Sequence, residues 1–220
     1  MIRRRVKAGD AINCVDVIDG VQIWRAALDA PGWPGAGDLP AEERERAAGF
    51  LREEAGRRWV ASRWALRRVL SSHLELPPAA IELEAGGNGK PRLREESGLQ
   101  FNLSHSEGLA LVAVAARPVG IDVEAIRPDR DLRALAERAL PAADLTVLDA
   151  APEAERPAVF YSAWTRYEAR LKCLGTGLGA PPPATQVAVR SLEVTPGYAA
   201  AVAVAGSEVG PVDCRSLFAG

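Results

Sequence analysis

Residues Leu109 to Glu124 read LALVAVAARPVGIDVE, and the class of fold turns on how this stretch is read. Leu109–Ala116 is an unbroken apolar run, short enough for a buried strand. Arg117-Pro118-Val119-Gly120 has the composition of a turn. Ile121-Asp122-Val123-Glu124 then alternates apolar with acidic residues, as a half-buried strand does, and the two segments together predict a hairpin. Side chains alternate along a strand, so Asp122 and Glu124 share one face while Ile121 and Val123 turn to the core. Two carboxylates on one face of a rigid strand are hard oxygen ligands of the kind Mg²⁺ takes. An isolated Asp-x-Glu is far more often a solvated strand face, so the pair needs company before it means anything.

Downstream, residues 131–140 have a helical pattern. Residues 141–157 hold three prolines and several alanines and are expected to be mobile. Ala158–Leu174 is a strong helix that ends near Gly175 and Gly177. Pro181-Pro182-Pro183 breaks the chain, and Val187–Val194 with Tyr198–Ala205 predicts a closing hairpin. On the strong helix, Trp164, Glu168 and Lys172 are spaced i, i+4, i+8 and form one stripe. The plain reading is a core tryptophan beside a surface Glu–Lys pair worth about 0.2–0.5 kcal/mol. The alternative is a third carboxylate with a lysine beside it, able to complete a metal site and meet a phosphate.

Upstream, the first twenty residues are ambiguous. Val21–Leu28 reads as a strand and Pro31–Gly35 as a loop. A helical stretch runs from Pro40 to about Leu76, with a break expected near Gly56. Its second part sets Val60, Trp64, Leu70 and Leu74 near one face and is rich in arginine: Arg57, Arg58, Arg67 and Arg68. Ile81–Glu84 is a short strand, Gly86–Pro91 a loop and Phe101–Ser104 an extended segment. Ser104-His105 is not read as a Ser–His nucleophile pair, because adjacent strand residues face opposite ways. A phosphate contact suits it better. Gly89-Lys90-Pro91 offers backbone N–H groups and an ammonium to a phosphate, although glycine turns with a lysine are common.

Composition sets the outer limits. A chain of 220 residues is long for one domain and short for two independent ones, and 48% apolar residues can fill a sizeable core. Lys and Arg number 27 against 29 Asp and Glu, so the net charge of −2 gives no global attraction to nucleic acid or anionic lipid. Cys14, Cys173 and Cys214 are odd in number and lack a metal-binding spacing. They read as small buried hydrophobes of a reducing compartment. Met1–Lys7 is basic, but no apolar signal region follows, and no run reaches the roughly 18 residues of a membrane span. A cytoplasmic protein is expected.

Each motif is weak alone; their order is not. Asn88-Gly89-Lys90-Pro91, Phe101-Asn102-Leu103-Ser104-His105-Ser106, Gly120-Ile121-Asp122-Val123-Glu124 and Trp164-Thr165-Arg166-Tyr167-Glu168-Ala169-Arg170-Leu171-Lys172, with Gly175 and Gly177-Leu178 after them, resemble the signature series of the Sfp-type phosphopantetheinyl transferases. The resemblance implies an Mg²⁺ site at Asp122, Glu124 and Glu168, with Asp122 also beside the co-substrate coenzyme A. It implies Glu168 as general base and Lys172 as the cation steadying phosphate charge. It implies contacts to coenzyme A from Gly89, Lys90, Pro91, Asn102, Ser104 and His105, with Lys90 near the nucleotide and Ser104 and His105 on the 3′-phosphate side. Arg58 is the first-helix match for a nucleotide contact, with Arg52 its rival. One position departs from the pattern: Tyr167 stands where many relatives carry a phosphate-binding lysine, and Arg166 is a candidate to compensate.

The implied fold is α+β: a 4′-phosphopantetheinyl transferase fold with a pseudo-two-fold pair of similar halves, residues 1–116 and 117–220, and the active site between them. The implied reaction moves phosphopantetheine from coenzyme A to a serine of an acyl or peptidyl carrier protein. The partners are then coenzyme A and the carrier, with no nucleic acid or membrane, and the length favours a monomer. A non-catalytic coenzyme A-binding relative and an Mg²⁺-dependent pyrophosphate hydrolase are the rival readings.

Overall fold

A computed structural model describes residues 12–18, 20–86, 89–95, 97–128, 131–177 and 185–206. Asn88, Leu178, Pro181–Pro183 and Cys214 lie outside the described residues, as does the side chain of Cys14. The elements are β1 (Ile12–Ile18), β2 (Val21–Ala27), α1 (Ala41–Ala48), α2 (Glu53–Leu74), β3 (Leu83–Ala85), β4 (Pro91–Leu93), β5 (Gln100–Ser106), β6 (Leu109–Ala115), β7 (Val119–Ala125), α3 (Leu132–Ala139), α4 (Ala142–Ala150), α5 (Arg156–Leu174), β8 (Val187–Leu192) and β9 (Tyr198–Ala205). The class is α+β, as expected.

Three antiparallel sheets form: β1-β2-β6-β5, the pair β3-β4, and β7-β9-β8. All seven residues of β6 are buried, because both of its faces are covered. Ala110, Val112 and Val114 join the α2 residues Ala61, Ala65, Leu66, Val69 and Leu70 in one core. Leu109, Leu111, Ala113 and Ala115 join Val119, Ile121 and Val123 of β7 and Ala200, Val202 and Val204 of β9 in a second. On its far side the β7-β9-β8 sheet meets α5, where the buried residues are small: Ala169, Cys173, Ala201 and Ala203, with Val187 and Val189 at the edge. The layers therefore run α2, sheet, sheet, α5.

Gly120 shows how closely the last two layers approach. A Cβ there would lie 2.1 Å from the Ala169 carbonyl oxygen and 2.3 Å from the Cys173 amide nitrogen. Only glycine lets β7 reach the α5 backbone. The Cys173 thiol donates to the Pro118 carbonyl (3.2 Å), so this cysteine is buried, as expected, but also ties the junction.

Two expectations are corrected, and two further segments take definite form. The segments Leu109–Ala116 and Ile121–Glu124 do not form a hairpin: β6 is flanked by β2 and β5, and β7 pairs with β9 in another sheet. The helical stretch breaks at Gly49–Arg52 rather than Gly56, which sits inside α2 beside Phe50. Residues 141–157 are ordered as α4 and a 3-10 turn, with Pro141 and Pro152 at the two N-caps and Pro157 in the first turn of α5. The ambiguous first twenty residues include β1.

Candidate active site

β5 is the dividing wall of the site. Its side chains alternate between two surroundings. Asn102, Ser104 and Ser106 face β7, an edge strand whose outward N–H groups would otherwise go unpaired. Asn102 Oδ1 accepts from Ile121 N (2.8 Å), Ser104 Oγ from Val123 N (3.3 Å) and Ser106 Oγ from Ala125 N (3.1 Å). A column of side chains thus replaces the backbone ladder and joins the two large sheets.

Both serines then use their hydroxyl protons on the carboxylates of β7. Ser104 Oγ donates to Asp122 Oδ1 (2.8 Å) and Ser106 Oγ to Glu124 Oε2 (2.9 Å). The repeat fixes one oxygen of each carboxylate on the side that faces α5. From α5, Lys172 Nζ reaches Asp122 Oδ1 at 2.6 Å and Ser104 Oγ at 3.2 Å. Glu168, one turn earlier on the stripe, is half-buried. The third member, Trp164, belongs elsewhere: it stacks on Phe160 at 5.9 Å in the cluster formed with α3 and α4.

Charge is short in this space. Burial first, then the charge of Asp122, pushes Glu124 above the ordinary carboxylate range, and Glu168 adds to the effect; Ser106 and Lys172 offset only part. Glu168 is also raised, by burial first; Lys172 opposes the rise and Asp122 adds to it. Asp122 is 2% exposed, and its Oδ2 has no hydrogen-bond partner although it is buried. Among the described residues, no three His, Cys, Asp or Glu side chains converge closely enough to enclose a metal ion as they stand. The bare Oδ2 and the raised proton affinities are nonetheless what a hard cation would relieve, so the residues fit Mg²⁺.

The opposite side of β5 opens onto a cleft of about 670 Å³. Leu103 and His105 line it, with Gly89, Pro91, Trp59 and the guanidiniums of Arg46 and Arg63. The imidazole is exposed at the cleft surface. Desolvation by the adjoining protein first, then the charges of Lys172, Arg63 and Arg46, holds His105 below its ordinary value. The cleft lining carries Arg46, Arg63, Arg67 and Arg94 beside Glu42, Glu43, Glu82 and Glu84, so its charge is mixed.

The predicted residues therefore separate into groups. Ser104, Asp122, Glu124, Glu168 and Lys172 come together around β7; His105, Gly89 and Pro91 line the cleft; Asn102 joins the sheets. Lys90 is turned away from the cleft and donates to the carbonyls of Val119 and Lys172. Arg58 is held by Asp29 (2.9 Å), Glu54 (2.8 Å) and Glu107 (2.8 Å). Arg52 is exposed at the N-cap of α2. Tyr167 packs against the α3–α4 cluster, so packing accounts for its ring. Arg166 is tied to Ser162 and Asp144. The sequence reading missed Arg46, Arg63 and Glu43 at the cleft, and Ser106 as the partner of Glu124. Nothing in the spacing of the α1 and α2 charges separates them from a solvated helix face.

Comparison with known proteins shows the family. Residues 33–118 match the family model for the 4′-phosphopantetheinyl transferase N-terminal region, and residues 118–205 that for the 4′-phosphopantetheinyl transferase superfamily. The chain is 38% identical over 173 residues to the 4′-phosphopantetheinyl transferase HetI of Nostoc sp., covering 76% of this chain and 73% of the relative. It is 35% identical over 154 residues to AcpT of Escherichia coli K12, covering 70% and 74%. To Sfp of Bacillus subtilis it is 27% identical over 186 residues, covering 76% and 82%. The chain belongs to the 4′-phosphopantetheinyl transferase superfamily, and it is a transferase by that membership.

Proposed function

We propose that the protein moves the phosphopantetheine arm of coenzyme A onto a serine hydroxyl of an acyl or peptidyl carrier protein, with Mg²⁺, and releases 3′,5′-ADP. The observation that carries this reading is the under-compensated set of Asp122, Glu124 and Glu168 beside Lys172, in a chain of this superfamily. The cleft around His105, Arg46 and Arg63 is the proposed seat of the nucleotide and its 3′-phosphate, with backbone contacts from Gly89 and Pro91. Arg58, engaged by three carboxylates, is a weaker candidate for that contact than Arg46.

Asp122, Glu124 and Glu168 would hold Mg²⁺, which when bound supplies positive charge against the pyrophosphate oxygens. Glu168 takes the proton of the carrier serine. The serine oxygen then forms a bond to the β-phosphorus while the bond from that phosphorus to the bridging oxygen breaks. The electron pair leaves with 3′,5′-ADP. Lys172 is placed by Asp122 and Ser104 to meet phosphate charge as it develops. The two halves are proposed to divide near residue 117, in keeping with the chain's passage there from β6 in one sheet to β7 in another. No helix among the described residues is long and apolar enough to cross a membrane. A cytoplasmic monomer is the form proposed.

The test is direct. The protein, coenzyme A and Mg²⁺ are mixed with several apo carrier proteins and the carriers are weighed by mass spectrometry. Gain of one phosphopantetheine on a carrier is the expected result. Binding of coenzyme A with every carrier unchanged would point to a non-catalytic relative, and its consumption without a labelled carrier to a hydrolase.

A further inference from the structure

Lys90 is the lysine that the sequence assigns to the nucleotide, yet its ammonium donates to two backbone carbonyls, those of Val119 (2.8 Å) and Lys172 (2.9 Å). No carboxylate among the described residues pairs with it. Burial above all holds its proton affinity below the ordinary lysine value. An ammonium that gives its protons to carbonyls of two different elements, and to no anion, is placed as a tie between them.

Both carbonyls matter to the site. Lys172 O is one of the last four carbonyls of α5, which have no partner within the helix. Gly175 N reaches it only at 3.4 Å. A cation there also favours the negative end of the helix. Val119 opens β7, the strand of Asp122 and Glu124. At the same junction Gly120 brings β7 against the α5 backbone, and Cys173 donates to Pro118 O. How α5 sits on β7 decides where Glu168 and Lys172 stand relative to Asp122.

We propose that Lys90 is a positioning residue: its ammonium joins the backbone of Lys172 on α5 to that of Val119 on β7, and so sets the Glu168 and Lys172 side chains over Asp122. The proposal rests on the transferase reading for its effect on rate, but its structural part stands on the junction alone.

The test uses the full chain with Lys90→Met, which keeps the apolar stem and removes the cation. Calorimetric affinity for coenzyme A is expected to stay within about twofold of wild type, and kcat of transfer to fall by about 10²-fold, the order of loss that follows a misplaced catalytic group. Amide exchange at Gly175 and Thr176, at the end of α5, is expected to quicken. A tenfold loss of affinity with kcat unchanged would overturn the proposal and return Lys90 to the nucleotide. Unchanged exchange would also overturn it. If Lys90→Met does not fold, Lys90→Arg keeps a cation of different reach, and the same division between kcat and affinity decides. If the wild-type protein binds coenzyme A but labels no carrier, the transferase reading fails, and the exchange measurement still decides the role of Lys90.

Discussion

Two charged regions lie on either side of β5, and they are balanced in opposite ways. On the cleft side, the single carboxylate of Glu43 faces two guanidiniums: Oε1 accepts from Arg63 Nε (2.9 Å) and Oε2 from Arg67 Nε (3.0 Å). Arg67, 2% exposed, gives further protons to the carbonyls of Pro78 and Ile81. On the β7 side, among the described residues, the ammonium of Lys172 donates to Asp122 but not to Glu124 or Glu168, and Asp122 Oδ2 is buried and bare. Burial is the largest influence on the titration of Glu43, Glu124 and Glu168 alike, and it raises each of them. Glu43 nonetheless ends below the ordinary carboxylate range, because Arg67 and Arg63 outweigh burial, while Glu124 and Glu168 end above it. The first region holds the helices; the second keeps negative charge in excess.

That contrast makes stability and activity separable. The largest effect is expected for Glu168→Gln: kcat for carrier labelling falls by about 10²–10⁴-fold, the usual yield of a general base. Its melting temperature should not fall, since a carboxylate disfavoured by its surroundings has been neutralised. Glu43→Ala should reverse this pattern. It leaves Arg63 and buried Arg67 without their anion, and chemical denaturation should show a loss of about 3 kcal/mol. Ser106→Ala removes the donor to Glu124 and the acceptor of Ala125 N. It should cost about 1 kcal/mol of stability and weaken Mg²⁺ binding by about tenfold, as loss of a ligand's supporting hydrogen bond commonly does. The smallest effect is in pH. The proton affinity of Glu43 is lowered by folding, so its contribution is complete above its ordinary value of 4.5 and is lost as pH falls through the lower folded value. The stability difference between wild type and Glu43→Gln should therefore be constant above pH 4.5 and shrink below it.

Much of the β7 side was legible in the sequence, because strand alternation places Asp122 with Glu124 and helical spacing places Glu168 with Lys172. Local pattern ended there. It could not tell that β6 is covered on both faces and flanked by β2 and β5, so the apparent hairpin with β7 was a false pairing. Helical spacing shows only Glu54, one turn back, as a partner of Arg58; the other two, Asp29 and Glu107, are remote in sequence. Lys90 likewise reads as a loop lysine until folding brings the end of α5 beneath it. Tyr167 departs from the family's pattern in a place where the α3–α4 cluster supplies apolar contact, which a motif cannot display.

The account stands most directly on one comparison of melting temperatures, wild type against Glu124→Gln, each in chelator and then in excess Mg²⁺. In chelator the variant should melt at or above the wild-type temperature, because a carboxylate disfavoured first by burial and then by Asp122 has lost its charge. Mg²⁺ should then raise the wild type clearly and the variant much less. A variant that melts lower in chelator, with a wild type indifferent to Mg²⁺, would contradict the claim that the acidic face of β7 is held short of positive charge for a metal ion.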